Sequence, residues 1–385
     1  MSTAIYLDHN ATTPVAPEVV TEMVDALQHI WGNPSSTHGP GQAARRALAD
    51  ARARVASFLG CQGVELVFTS GATEANHMAV LGALAAAGPQ GRWVLSAVEH
   101  PGLLALARRL QAEGRPVDLL PVDGQGRLDL PAAQGLIGPD VALVSVMGAN
   151  NETGVLMPIP ALAQMAHAQG ALLHVDATQC IGKLPFNFAE LDIDLATCSA
   201  HKLGGPKGVG ALLQRKGLVL PALLSGRQER QRRGGTENLP GIVGFAAACD
   251  RTAATLQHDL PRMAALRQRL EQGLLQALPC AHLYGARAPR LPNTACLRFG
   301  ELKAERVLDK LERAGVIAAS GAACTAGGAQ PSHVLLAIRE TPAQALGGVR
   351  FSLGRGTSAD DIERVLATAQ RVIAPLLAEA LATVC

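Results

Sequence analysis

Four short segments carry residues whose types and placing suit chemistry. Ser70-Gly71-Ala72-Thr73 stands where a short apolar run gives way to a helical pattern. Backbone N–H groups at such a strand-to-helix turn, with the helix dipole behind them and the Thr73 hydroxyl beside them, form a cradle for a phosphate. Asp176 sits in His174-Val175-Asp176-Ala177-Thr178-Gln179, at the end of a strand-like run, where a carboxylate can hold a ring nitrogen protonated. Lys202 closes Ser199-Ala200-His201-Lys202, just before a glycine-rich stretch. Burial and nearby cations there would lower its pKa and free the amine for Schiff-base formation. Cys324 lies in SGAACTAGGAQPS (320–332), where small neighbours suit a thiol that travels between a site and a partner.

Taken alone, each also has an ordinary reading: a helix N-cap with a glycine turn, a satisfied structural aspartate, a solvated loop lysine, a small packed thiol. One relationship changes the balance. Asp176 precedes Lys202 by a single strand–helix–strand interval, which brings acid and lysine to the same sheet edge. Open α/β sheets build their sites at the C-terminal ends of their strands.

The elements needed to hold these residues are visible as periodicities. Ala44, Leu48, Ala51, Val55 and Phe58 recur at steps of three and four, predicting an amphipathic helix over 43–59. Val64–Phe68 reads as a strand, followed by a tight turn and a helix from Ala75. Further strand-like runs are Trp93–Leu95, Val141–Met147, Ala171–Val175, Ile193–Cys198 and Val209–Leu213, with helical stretches such as 159–169 between them. Strands alternating with helices predict an α/β layer with a mostly parallel sheet. After about residue 250 the texture shifts to long helical patterns at 251–278, 303–314 and 358–382. Between them lie short strand-like runs at Thr294–Phe299, Val316–Ala319 and Val349–Ser352. The expected division is a large α/β domain over 15–250 and a small α+β domain made of 1–14 plus 251–385.

Composition removes several classes of function. With 385 residues and 48% hydrophobic content the chain can bury a large core. A net charge of +2 and 3% aromatics leave no nucleic-acid footprint, so no direct nucleic-acid partner is expected. The apolar stretches are too short to span a bilayer and the first ten residues carry no signal pattern, so a soluble cytoplasmic protein is expected. The 8 cysteines are scattered with no C-x-x-C pair, which argues against both a metal site and a disulfide scaffold.

The segments together resemble the NifS/IscS cysteine desulfurases, within the fold-type I pyridoxal-phosphate (PLP) enzymes of the class V aminotransferase kind. The likeness runs from Tyr6-Leu7-Asp8 with Ala11-Thr12-Thr13-Pro14, through GNPSS (32–36), FTSGATEAN (68–76), Glu99-His100, ANNETGV (149–155), HVDATQ (174–179), SAHKLGGPKGVGAL (199–212) and GTEN (235–238), to SGAACTAG (320–327), PSHVL (331–335) and RFSLGR (350–355). It implies a homodimer that removes sulfur from L-cysteine, leaving alanine and a persulfide on Cys324. That sulfur would pass to an acceptor such as an iron–sulfur scaffold or a thiolation carrier. It implies that Lys202 binds PLP covalently, that Asp176 bonds the pyridine nitrogen, and that His100 stacks on the ring and serves acid–base steps. Gln179 and Asn151 would contact the ring oxygen or the substrate carboxylate. Ala72, Thr73, Ser199 and His201 would hold the phosphate, and Thr236 would reach the phosphate of the other subunit. Arg350 would clamp the substrate carboxylate, and Cys324 would be the point of contact with a persulfide acceptor or cluster.

The chain departs from the family pattern at Ala200 (usually Gly), at Ala322 (usually Ser), and in the stretch before GTEN, where Arg227, Arg230, Arg232 and Arg233 form a basic cluster near the implied dimer seam. Two other readings stay in view. One is a selenocysteine lyase or another PLP lyase or aminotransferase of the same fold, which would need no travelling thiol. The other is a non-catalytic sulfur-transfer scaffold, which would have no reason to hold Lys202, Asp176 and Arg350 together.

Overall fold

The computed structural model describes residues 4–321 and 330–382, so Cys324 and Ala322 lie outside the described residues. Its framework is a seven-stranded sheet built from β2 (Leu66–Thr69), β3 (Arg92–Ser96), β4 (Val117–Leu120), β5 (Val141–Met147), β6 (Leu172–Asp176), β7 (Leu195–Ser199) and β8 (Gly210–Gln214), after a short N-terminal β1 (Ile5–Tyr6). The spatial order is β2-β8-β7-β6-β5-β3-β4. β8 runs antiparallel to both its neighbours and the other pairings are parallel. The reversal has a simple cause. The link Ala200–Val209 is too short for the crossover that a parallel pair needs.

β2, β7 and β8 are buried along their whole length. That is why they read as unbroken apolar runs: helices cover both faces of the sheet. One apolar cluster fills one face, with Val144, Val146, Leu173 and Ala196. A second fills the other, with Trp93, Leu95, Leu143 and Leu212. Trp93 is fully buried and its Nε1 donates to Ser145 Oγ at 2.8 Å, so its one polar atom is satisfied.

The later part of the chain forms an antiparallel four-stranded sheet, Ala319–Ser320, Val349–Ser352, Thr294–Phe299, Ala281–Leu283 in spatial order. β1 pairs in parallel with Val316–Ile317, and Asp8 bridges Ser352. The N-terminal segment therefore belongs with this second sheet, whose core holds Ile5, Leu7, Leu297 and Phe351. The helix expected from residue 251 begins earlier. One helix runs unbroken from Leu239 to Ala277, crossing the expected boundary at 250. Its first part packs Phe245 and Ala246 into the large core, and its last part packs Leu270 and Leu274 into the small one.

Candidate active site

The C-terminal ends of β2, β5, β6 and β7 open into a cavity of about 580 Å³. Thr73, His100, Asp176, Gln179, Lys202 and Arg350 all line it. At one end, the helix Ala72–Ala87 begins straight after β2, with Gly71 as its N-cap at φ 155°. β8 runs against this turn. A Cβ on Gly210 would fall 2.7 Å from Gly71 Cα, so only glycine fits. First-turn amides of a helix have no acceptor within the helix. Here they face a cavity that also holds Ser199, His201 and the exposed Lys207, a donor-rich end suited to an anion.

At the other end stands Asp176, the last residue of β6. Its Oδ2 accepts from Asn76 Nδ2 at 2.8 Å and its Oδ1 from the Thr178 amide at 3.0 Å. Asn76 is itself fixed, accepting at Oδ1 from Thr197 Oγ1 at 2.5 Å. Beside them lies Glu99, fully buried, with Oε1 accepting from the Met147 amide at 2.6 Å. Burial, reinforced by Asp176, pushes its carboxyl well above the usual range.

His100 caps the helix Pro101–Ala112, its Nδ1 accepting from the Gly102 amide at 3.1 Å. That leaves the proton of the neutral ring on Nε2. Burial pulls its pKa down, with Lys202 and His333 adding to the effect and Asp176 opposing it. Lys202 follows β7 and donates from Nζ to the carbonyls of Asn10 at 2.6 Å and Ala11 at 2.8 Å. His201 turns its Nδ1 to Thr12 Oγ1 at 3.1 Å, and burial followed by the charges of Lys202, Lys207 and Lys183 lowers it to about 4. Arg350, buried, donates from Nη2 to Asp8 Oδ1 at 2.7 Å and from Nη1 to the Asn151 carbonyl at 3.0 Å. Its Nε is buried and has no hydrogen-bond partner among the described residues.

Residues 5–365 match the family described as aminotransferase class-V. The chain belongs to the class-V aminotransferases. A relative from Cereibacter sphaeroides named cysteine desulfurase is 47% identical over 365 residues, covering 94% of each chain. A solved structure described as a NifS-like protein superposes with a TM-score of 0.89 at 33% identity, covering 97% of this chain and 100% of its own. Another, described as SspA in complex with cysteine, gives 0.81 at 30% identity over 91% and 98% of the two chains. The fold is thus the one expected from the sequence, a largely parallel central sheet with a smaller mixed unit.

Most of the residues singled out in this class-V aminotransferase share the one cavity: Ala72, Thr73, His100, Asn151, Asp176, Gln179, Ser199, His201, Lys202 and Arg350. Thr236 does not. It is exposed, beside a separate small cleft with Glu229 and Arg233. Three arginines of the basic cluster before it, Arg230, Arg232 and Arg233, are tied to the chain's own groups. Arg233 pairs with Glu74 at 2.7 Å, Arg232 and Arg230 donate to the Leu66 and Gly63 carbonyls, and the buried Glu229 takes Arg52 at 2.5 Å and the Phe68 amide at 3.0 Å. Ala200 is not among the residues with positive φ, so its methyl is accommodated.

Four contributors carried no role in the sequence reading. Asn76 orients Asp176, and Asp8 orients Arg350. Asn10 bonds Thr294 Oγ1, the Asn151 carbonyl and Ser352 Oγ as well as Lys202. Glu152 is buried between Gly321 and Ser332. It accepts from Ser332 Oγ at 2.5 Å, and a Cβ on Gly321 would collide with its Oε2.

Proposed function

We propose that the chain is a PLP-dependent cysteine desulfurase, acting as a homodimer, with Lys202 holding the cofactor and Cys324 receiving the sulfur. The observation that carries this reading is the meeting of Asp176, Lys202 and Arg350 in one cavity with a donor-rich end. The donor set fits PLP: Ala72, Thr73, Ser199 and His201 would hold the phosphate, Asp176 the ring nitrogen, and Lys202 the aldehyde. The chemistry the bound cofactor supplies is an electron sink that weakens the substrate's bond to sulfur. A relative solved in complex with cysteine, and relatives named as cysteine desulfurases, support the substrate.

The chain's own groups then divide the work. Arg350, with donors still unused beside Asp8 and Asn151, binds the cysteine carboxylate as a planar fork. His100, neutral with its proton on Nε2, covers the cavity and can give or take a proton there. Lys202 Nζ moves protons at the substrate carbon. The Cys324 thiolate bonds to the substrate sulfur as the carbon–sulfur bond breaks. The carbon skeleton takes up protons and leaves as alanine, and the sulfur stays on Cys324 as a persulfide for an iron–sulfur scaffold or thiolation carrier. Four of the six described cysteines are poorly suited to take the place of Cys324. Cys180, Cys198, Cys249 and Cys296 are buried, and burial pushes their thiols up, Cys180 to about 12. Thr236 would serve the phosphate of the second copy.

The test is release of alanine and sulfide from cysteine by the purified protein, set beside Lys202→Ala. The variant should lack both the yellow chromophore and the activity. A chromophore that persists in Lys202→Ala and is reduced by borohydride onto Lys207 would overturn the assignment.

A further inference from the structure

Lys183 is a second lysine at the site, and the mechanism above does not use it. It sits one turn after Gln179 in the segment that follows β6, and only 5% of it is exposed. It does not line the main cavity. It lines a second cavity of about 250 Å³ with His9, Met263, Arg355 and Lys202, the last of which lines both cavities. Its Nζ donates to Asn10 Oδ1 at 3.0 Å and, in a very short contact, to Gln179 Oε1. Gln179 Nε2 in turn donates to the Asn10 carbonyl at 3.0 Å, the same carbonyl that accepts from Lys202 at 2.6 Å.

The groups acting on Lys183 are mostly cationic. Lys202 and Arg350 oppose its charge, Cys180 favours it weakly, and it in turn opposes protonation of His9 and His201. Burial is the largest cause, and with these charges it pulls the pKa well below the ordinary lysine value. A neutral amine has two N–H bonds, and Lys183 has two acceptors, Gln179 Oε1 and Asn10 Oδ1.

This arrangement decides which face of an amide the cavity meets. With Oε1 held by Lys183, Gln179 has its oxygen engaged and its amide N–H to offer the cavity. Its Nε2 has two hydrogens, and one goes to Asn10. The other is left for a ligand. We propose that Lys183 is a positioning residue that locks Gln179 as a hydrogen-bond donor toward an anionic oxygen on the bound cofactor.

The proposal rests on the PLP reading, and its test separates the two. The absorption of the bound cofactor is titrated against pH in the wild type, Lys183→Met, Gln179→Leu and the double variant. Withdrawing an N–H from an anionic acceptor raises the proton affinity of the group that carries it. Lys183→Met should therefore move the midpoint upward by about half a pH unit or more, the size expected for one lost hydrogen bond. If Lys183 acts through Gln179, the double variant should titrate like Gln179→Leu alone rather than adding the two shifts. Lys183→Gln keeps a donor and should return the midpoint toward wild type, and Lys183→Ala replaces Lys183→Met, with the same expected shift, should that variant not fold. A wild type with no titrating chromophore would sink the PLP reading itself. A normal wild-type titration with an unmoved midpoint in Lys183→Met, or with additive shifts in the double variant, would overturn the positioning role alone.

Discussion

Arg350 Nη2 lies 2.7 Å from Asp8 Oδ1, so the N-terminal segment aims the cation that the substrate carboxylate would meet. The two are far apart in sequence and come together because Asp8 bridges the strand Val349–Ser352. Asp8 and the Asn151 carbonyl each take one N–H of the guanidinium and leave the others for a ligand. Arg350→Lys keeps the charge and loses that planar geometry. Losing a desolvated, charge-assisted bidentate contact costs about 2–4 kcal/mol, so kcat/KM for cysteine should fall by about 30- to 1,000-fold. Steady-state kinetics check this, and a value within about threefold of wild type, inside the range of a weak exposed contact, would remove Arg350 from the substrate site.

Asn76 gives a prediction about cofactor retention. Its side chain links Asp176 Oδ2 to Thr197 Oγ1 within the sheet. Asn76→Ala leaves two buried polar atoms without that partner, which should cost about 1–3 kcal/mol of stability. It should also loosen Asp176 and weaken PLP binding. Denaturant unfolding and dialysis of the holoenzyme measure the two effects. Wild-type stability together with wild-type cofactor retention would contradict the role.

The imidazoles set the response to acid. Burial lowers His9, His174 and His201 to about 4, and lowers His100 as well. In the unfolded chain these groups take up protons near pH 6.5, before the folded ones do. Stability is therefore lost as pH falls from about 6.5 toward 4. Glu99 and Glu152, raised by burial, act in the opposite sense and lose stability as pH rises above the ordinary carboxyl range. His174, fully buried beside Ser145, isolates one contribution. His174→Gln should flatten the acid limb of stability against pH by one proton, about 1.4 kcal/mol per pH unit. Urea unfolding at several pH values checks this, and an unchanged slope would contradict it.

What the sequence revealed follows from the range of each signal. Lys202, Asp176 and the Ser70–Thr73 turn were legible because each ends a local apolar run, and strand ends are where sites form. Asn76, Asp8, Asn10 and Lys183 carried no such mark. Apart from Gln179 beside Lys183, their partners are distant in the chain, and no local periodicity records a contact between β6 and the helix Ala72–Ala87 or between Asp8 and Arg350. The start of the long helix was missed for a related reason. Residues 241–249 are buried on every side, so the segment has no polar face to give a 3.6-residue rhythm. The direction of β8 was marked only by the short link before it, since a short buried strand itself looks the same either way.

The central claim is tested most directly by locating the sulfur. The wild-type holoenzyme is exposed briefly to cysteine, thiols are trapped, and peptides are read by mass spectrometry beside Cys324→Ala. That variant should bind PLP normally and release almost no sulfide. The account predicts one additional sulfur on the peptide holding Cys324, with alanine formed, and none on that peptide in the variant. Additional sulfur on the peptide of Cys180, or full sulfide release by Cys324→Ala, would contradict it.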